Sequence, residues 1–168
     1  MFLYCIFVKT KTNIMEVSKN RLDRCSNDGN YFEELFKSKV NSSGLKYTEA
    51  TKQDDWYKHI DCYVNGYGVD VKGNRYLETI WLEHTNVNGN KGWLRGGAKY
   101  IAMHIKELDV FSIYHRDDLL DFVNKNVKEK TTNKKDYFKF YTRERWGKKD
   151  LIVKVRYSDI VHLERSVL

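Results

Sequence analysis

The chain contains no proline and only three cysteines, Cys5, Cys25 and Cys62, among its 168 residues. Their odd number and irregular spacing exclude a disulfide framework and a zinc finger, so we expect reduced thiols in a cytoplasmic protein. Long apolar runs are also missing. The run at residues 2–8 is too short to cross a bilayer and lacks the charged start of a secretory signal. No membrane partner is therefore expected.

Basic and aromatic residues are plentiful instead. The formal net charge is +7, aromatic residues make up 14% of the chain, and hydrophobic residues make up 41%. This composition is typical of a folded globule, and the basic balance favours a polyanionic partner. We expect residues 1–20 to form a leader or an edge segment and residues 21–168 to form a single domain.

Hydrophobic periodicity and turn residues predict the order of helices and strands. The predicted helices are 30–40, ended by Ser42-Ser43-Gly44, then 117–127 and a short closing helix at 158–163. The predicted strands are 59–64, 69–72, 79–87, 99–105, 110–114, 137–141 and 151–155, with 45–53 extended or in a loop. This order fits an α/β or α+β fold with a central mixed sheet.

The most informative feature is a predicted hairpin around Asn65-Gly66, since Asn-Gly is a strong hairpin signal. A two-residue turn would place Asp61 opposite Asp70, and His59 opposite Lys72. A four-residue turn would place Asp61 opposite Lys72. Because strand side chains alternate between faces, either register collects two carboxylates and one ammonium on one face. A three-residue bulged turn would separate them.

Such a cluster has a chemical use. Two carboxylates that face each other repel, and a divalent cation such as Mg²⁺ relieves the repulsion by binding their oxygens. Lys72 beside Asp61 and Asp70 could hold a phosphate, orient a water or stabilise developing negative charge. This set suits metal-assisted hydrolysis of a phosphodiester. The alternative is an exposed hairpin with ordinary surface charges.

A third carboxylate could come from the helix predicted at residues 30–40. On a helical wheel, Glu33 lies at the edge of the apolar face formed around Phe32 and Phe36, whereas Glu34 points away from it. Glu33 could therefore reach over the sheet to a metal. Alternatively, Glu33 closes a capping box with Asn30 at the start of the helix.

Together these residues resemble the PD-(D/E)XK nuclease superfamily, most closely its small endonuclease-like members from phages and other viruses. The matching segments are Asp55, His59-Ile60-Asp61, Val69-Asp70-Val71-Lys72, Trp81-Leu82-Glu83 and Gly92-Trp93-Leu94. Asp61 matches the single aspartate of the first motif, and Asp70 and Lys72 match the acidic residue and lysine of the second. The resemblance covers roughly residues 30–115. One departure is the absence of a proline before Asp61, and the short spacing of the acids is another.

The resemblance implies a restriction-endonuclease-like core, a mixed sheet flanked by helices. It further implies Mg²⁺ or Mn²⁺ held by Asp61, Asp70 and Glu33, with catalysis by these residues and Lys72. The implied activity is a Mg-dependent deoxyribonuclease of endonuclease or junction-resolvase type. The phage relatives imply the cytoplasm of an infected host as its setting, and a homodimer is left open. The alternative is a catalytically inactive nuclease-fold protein that binds DNA.

Two basic regions are candidate nucleic-acid contacts. A glycine-rich loop carries basic residues beside Trp93, and ten Lys or Arg against four Asp or Glu lie between residues 124 and 150, with aromatic residues among them. We expect nucleic-acid contacts from Lys91, Arg95, Lys134, Lys135, Lys139, Arg143 and Arg145. The alternatives are that Trp93 and Leu94 anchor the loop in the core and that the lysines serve solubility.

A third hypothesis belongs to a different class. His59 and Asp61, with His104 or His115, could form the two-histidine, one-carboxylate site of an iron oxygenase. This hypothesis leaves Asp70 and Lys72 without a role.

Overall fold

The structure, a computed structural model, describes residues 21–142, 144, 145 and 148–168. Side chains are described for all of these except residues 21–28, 74, 144, 145 and 148. The segment 1–20, expected to be a leader or an edge segment, lies outside the described residues. The described helices are α1 (Arg21–Ser42), α2 (Lys52–Lys58), α3 (Arg116–Asn126) and α4 (Tyr157–Ile160), with 3₁₀ turns at Trp93–Arg95 and Val161–Leu163. None of the described helices has both the length and the apolar character needed to cross a membrane.

The strands form two main sheets and one small pair. The described strands are β1 (Tyr47–Glu49), β2 (Cys62–Val64), β3 (Tyr67–Arg75), β4 (Ile80–Thr85), β5 (Tyr100–Ile105), β6 (Val110–His115), β7 (Lys130–Thr131), β8 (Phe140–Tyr141), β9 (Glu144–Arg145), β10 (Lys148–Lys149), β11 (Leu151–Val155) and β12 (Glu164–Val167). The central sheet has the order β1-β2-β3-β5-β6-β12, and the second sheet has the order β4-β11-β8-β7. Strands β3 and β5 pair in parallel and the other central pairs are antiparallel, which confirms the predicted mixed sheet.

The central sheet is covered on both faces. Helix α1 packs Phe32, Phe36 and Val40 against Val69 and Val71 of β3 and against neighbouring strands. The opposite face packs against β4, β11, α3 and α4 in a second apolar cluster. Because strand side chains alternate, Asp70 and Lys72 point to this second face, the side on which Trp93 lies.

The prediction of an α+β fold is confirmed, and the differences have physical reasons. The first helix begins at Arg21 rather than residue 30, because its first turns carry few apolar residues to mark a periodicity. Helix α2, which has no buried residue, was not predicted, and its first two residues fall in the segment 45–53 expected to be extended or in a loop. The strand predicted at 137–141 is paired only from Phe140, since Phe138 has a positive φ of 56° that interrupts an extended strand. The edge strand β12, of mostly exposed residues, was not predicted.

Candidate active site

The hairpin between β2 and β3 sets the geometry of the site. Asn65 and Gly66 have φ values of 48° and 83°, as a two-residue type I′ turn requires. Cys62 pairs with Val69, so the two-residue turn is present out of the turn lengths that the sequence left open. The described pairing ends at Cys62, and Asp61 is the residue before β2. Asp61 lies close enough to Asp70 for its charge to raise the pKa of that carboxyl. The turn therefore brings the two carboxylates close together.

Asp61 is fixed by hydrogen bonds to β3. Its backbone N–H donates to the carbonyl of Val69 at 2.9 Å. Its Oδ2 accepts a hydrogen bond from the backbone N–H of Val71 at 2.6 Å. The second carboxylate oxygen, Oδ1, is free of these backbone contacts. Asp61 is therefore oriented by β3 while part of its carboxylate remains available.

Asp70 and Lys72 form an ion pair in which Asp70 is buried and Lys72 is partly exposed. Asp70 is 1% exposed, so the alternative of an ordinary surface charge is wrong for this residue. Its Oδ1 accepts a hydrogen bond from Lys72 Nζ, and its Oδ2 has no hydrogen-bond partner among the described residues. Lys72 Nζ also lies 5.9 Å from the ring centroid of Trp93. An unpartnered buried oxygen is costly, and here it lies next to Asp61.

The pair has shifted proton affinities. Burial raises the pKa of Asp70 well above its usual range, and the ammonium of Lys72 opposes that shift. Burial alone would lower the pKa of Lys72, but Asp70 and Asp61 outweigh it, so the pKa of Lys72 lies above its usual value. Lys72 is therefore a cation at neutral pH. It can hold a negative oxygen but is a poor proton acceptor.

Glu33 lies close enough to join this cluster electrostatically. Burial raises the pKa of Glu33 to about 7, and the nearby carboxylates of Asp61 and Asp55 add to the shift. Glu33 is in the interior of α1, which begins at Arg21, so the capping box with Asn30 is wrong. The carboxyl is half-buried and faces a cleft of about 240 Å³ that Tyr47, Lys52, Asp55 and Asp61 also line. We call this cleft the acidic cleft.

A close helix–strand approach puts Glu33 there. A Cβ added to Gly73 of β3 would lie 1.9 Å from Cδ2 of Phe32. Phe32 is buried between Tyr31 and His104, with ring centroids 5.1 and 4.9 Å away, so its ring has little room to move. The absence of a side chain at Gly73 thus lets α1 approach β3, and Glu33 follows Phe32 in that helix.

Asp55 was named in the resemblance but was not predicted to be a site residue. It lies on α2 and lines the acidic cleft, and burial, followed by the charge of Asp61, raises its pKa. A sequence signal for this helix did exist. Thr51 and Asp54 have the spacing of a capping box, and Thr51 Oγ1 accepts a hydrogen bond from the Asp54 N–H at 3.2 Å.

Arg75 is a second residue that sequence reasoning missed. Its side chain lies near Asp70 and Glu83, whose charges raise its pKa, although burial lowers it by more. The Nε atom has no hydrogen-bond partner among the described residues. A positive charge thus lies behind the Asp70–Lys72 pair. Its position at the end of β3, on a register shift after Lys72, could not be read from strand alternation.

The prediction that His59 lies on a strand opposite Lys72 is wrong. His59 has a positive φ of 53° and ends α2, with its N–H donating to the carbonyl of Asp55 at 3.1 Å. Its Nε2 lies 3.3 Å from the carbonyl oxygen of Lys91. The histidine therefore joins α2 to the glycine-rich loop.

The iron-oxygenase ligands are not assembled. His104 is buried in β5, where its Nε2 lies 3.1 Å from Asp109 and its ring packs on Phe32 and Phe111. Over the part of the chain that the structure describes, no group of three or more His, Cys, Asp or Glu side chains is arranged to hold a metal ion. This applies equally to the predicted trio of Asp61, Asp70 and Glu33. A metal at that trio would need oxygens from water or substrate as well, as Mg²⁺ usually has.

The glycine-rich loop is anchored in the core. Trp93 and Leu94 are buried, in agreement with the alternative that they hold the loop rather than contact a ligand. The backbone N–H of Trp93 donates to Glu83 Oε2 at 3.4 Å. Lys91 is exposed and Arg95 is partly exposed at either side of these anchors. The basic ends of the loop thus remain available to a polyanion.

The second basic region is described only in part. Lys134 Nζ lies 5.8 Å from the ring centroid of Tyr141, and Lys135 is exposed. Lys139 forms an ion pair with Glu129 at 2.7 Å, which reduces the charge it offers. Of the two predicted arginines, residue 143 lies outside the described residues and only the backbone of residue 145 is described, in β9.

Comparisons with known proteins add little to this geometry. No family model matches the chain, and no curated protein matches it. A solved structure of a bacterial homing endonuclease, I-Ssp6803I, is similar over 57% of this chain and 72% of the other, with 12% sequence identity and a TM-score of 0.43. A likeness of this size carries no conclusion about activity.

Proposed function

We propose that this protein is a metal-dependent nuclease that hydrolyses phosphodiester bonds of DNA, of the PD-(D/E)XK type. The observation that carries the proposal is the Asp70–Lys72 pair, buried beside Asp61 with one carboxylate oxygen of Asp70 unpartnered. The fold brings two carboxylates and an ammonium together on β3 and at the residue before β2. This is the set of groups that metal-assisted phosphodiester hydrolysis requires.

The residues present fit a hard divalent cation. Carboxylate oxygens are the ligands that Mg²⁺ and Mn²⁺ prefer, and Oδ2 of Asp70 is a carboxylate oxygen with no hydrogen-bond partner among the described residues. Asp61 and Asp70 would hold the ion, and Glu33 is a further candidate ligand. When bound, such an ion polarises a phosphoryl oxygen and lowers the pKa of a bound water.

The chain's own residues have distinct parts to play. Lys72 stays protonated, so its Nζ would hold a phosphate oxygen and offset the negative charge that develops there. Glu33, half-buried in the acidic cleft near Asp61, would add a ligand or accept a proton from the attacking water. The ring of Trp93, with its centroid 5.9 Å from Lys72 Nζ, offers a further favourable contact to this ammonium. The net charge of +7 and the basic residues at 124–150 support a nucleic-acid partner.

The test is a cleavage assay on supercoiled plasmid, linear duplex, single-stranded and branched DNA, each with Mg²⁺, Mn²⁺ or EDTA. Asp70→Asn and Lys72→Ala are compared with the wild type and with Asp121→Asn, which changes an exposed carboxylate of α3. We expect metal-dependent cutting by the wild type and the control, and loss of cutting in the two site variants. Thermal melting checks that each variant is folded.

One outcome would replace the proposal. If all four proteins bind DNA in a salt-dependent way and none cuts with any metal, the protein is a catalytically inactive nuclease-fold protein that binds DNA. Light scattering on the same samples would report whether it forms a homodimer.

A further inference from the structure

Helix α2 carries two large aromatic side chains into solvent. Trp56 is 68% exposed and Tyr57 is 77% exposed. None of the residues of this helix is buried, so neither ring contributes to an apolar core. Single exposed aromatics are common, but two adjacent ones on a helix with no buried face call for a partner.

The helix is nevertheless held firmly in place. Seven residues are too few for a stable isolated helix, so outside contacts must fix it. Thr51 caps its first turn, and Lys58 pairs with Asp54 at 2.7 Å. At the other end, the carbonyl of Lys58 accepts a hydrogen bond from the Gly97 N–H at 2.6 Å. The rings are therefore presented from a positioned element.

That element borders the candidate active site. Lys52 and Asp55 of α2 line the acidic cleft together with Asp61 and Glu33. Trp56 is the residue after Asp55 and lies one helical turn beyond Lys52, so it shares a side of the helix with that ammonium. An exposed aromatic ring, a lysine and the carboxylate cluster thus lie side by side.

We propose that Trp56 stacks on an unpaired base of the strand whose phosphate enters the site, so that the preferred substrates contain single-stranded nucleotides. The inference rests on the proposed function, because it takes nucleic acid as the partner. Bases in an intact duplex are already stacked on each other, whereas an unpaired base has a free face for an aromatic ring. Lys52 lines the acidic cleft on the same side of α2 as Trp56, so its ammonium would be available to the backbone of the same strand.

The experiment measures binding without cleavage. Wild type, Trp56→Ala, Tyr57→Ala and Trp56→Phe are titrated in EDTA onto a labelled single strand and onto the same sequence as a blunt duplex. The matched control is Tyr76→Ala, which removes another exposed tyrosine beyond the end of β3. A single strand containing 2-aminopurine reports stacking directly, because stacking on an aromatic ring quenches its emission.

We expect Trp56→Ala to weaken single-strand binding by about 5- to 100-fold and to abolish the quenching, with a smaller effect on the duplex. Trp56→Phe should restore most of the affinity and the quenching, and Tyr76→Ala should bind as the wild type. The inference is overturned if Trp56→Ala binds the single strand normally. It is also overturned if single strand and duplex lose affinity equally, or if the variants change the oligomeric state instead.

The outcomes separate this inference from the proposed function. If the wild type cuts DNA, and Trp56→Ala binds and cuts single strands as well as the wild type does, the stacking inference is wrong and the nuclease proposal stands. Single-strand binding that depends on Trp56, without cutting under any metal, would remove the nuclease and leave the stacking surface. A wild type that binds neither form of DNA would overturn both.

Discussion

The approach of α1 to β3 offers the sharpest test of how the site is built. In Gly73→Ala the new Cβ would lie 1.9 Å from Cδ2 and 2.4 Å from Cγ of Phe32. Both atoms belong to a buried ring held between Tyr31 and His104, so either the ring or the helix must shift. The helix shift would carry Glu33 away from Asp61.

The expected change in the free energy of unfolding is the difference between the cost of overpacking and the gain from replacing a glycine. Overpacking a close-packed core costs typically about 1–3 kcal/mol. Replacing a glycine in a strand returns roughly 0.5–1 kcal/mol of backbone entropy. We therefore expect Gly73→Ala to lower the free energy of unfolding by about 1–2 kcal/mol. Phe32→Ala alone should cost about 3–5 kcal/mol through the cavity it leaves.

A double-mutant cycle separates the clash from other effects. Without the Phe32 ring, Gly73→Ala should be neutral or slightly stabilising, which gives a coupling of about 2 kcal/mol between the two positions. Urea unfolding of the four proteins measures it. Gly29→Ala is the control, because a Cβ added there meets no atom within 4 Å. Since Gly29 lies in α1, its replacement by alanine should not lower the free energy of unfolding. Additive costs at positions 73 and 32 would refute the described packing of α1 on β3.

Two further predictions concern the apo protein. The pKa of Glu33 is about 7 in the folded protein and about 4.5 in the unfolded chain, so the folded protein binds this proton more tightly. The stabilisation that protonation gives is complete below pH 4.5. It is lost as the pH rises through 7. Urea unfolding in EDTA should show that the free energy of unfolding falls by about 1–2 kcal/mol over this pH range, a value reduced for the partial exposure of Glu33. In Glu33→Gln the free energy of unfolding should depend less on pH. The same pH dependence in both proteins would contradict the reasoning. Gly66→Ala should cost about 1–2 kcal/mol because Gly66 has a φ of 83° while a Cβ there meets no neighbour, and an unchanged urea midpoint would show that the turn is not type I′.

The sequence could predict the hairpin because its signals are local. Asn65-Gly66 marks the turn, the turn fixes the register in which Cys62 pairs with Val69, and Asp61 and Asp70 are the residues next to that pair. The mixed sheet and α3 likewise follow from apolar periodicity over short segments. These parts of the fold and of the candidate site depend on residues that are close in the chain.

The missed parts depend on contacts between distant segments. Helix α2 has no apolar face, since its ends are held by polar contacts with residues as far away as Gly97. His59 was assigned to a strand because its neighbours alternate, but α2 ends there in a left-handed residue. Arg75 reaches the site only through a register shift in β3. None of these relations leaves a periodic pattern in the sequence.

The candidate site is electrostatically unfavourable for the fold that encloses it. Asp61 and Asp55 raise the pKa of Glu33, and Asp70 is buried with an oxygen that no described residue satisfies. Each of these arrangements lowers stability, and apolar or amide side chains of similar size would avoid the cost. Residues that break the rules of a stable interior and also converge on one place are expected where a ligand compensates them. A cation that binds the carboxylates, together with a phosphate at Lys72, has the charges that this site lacks.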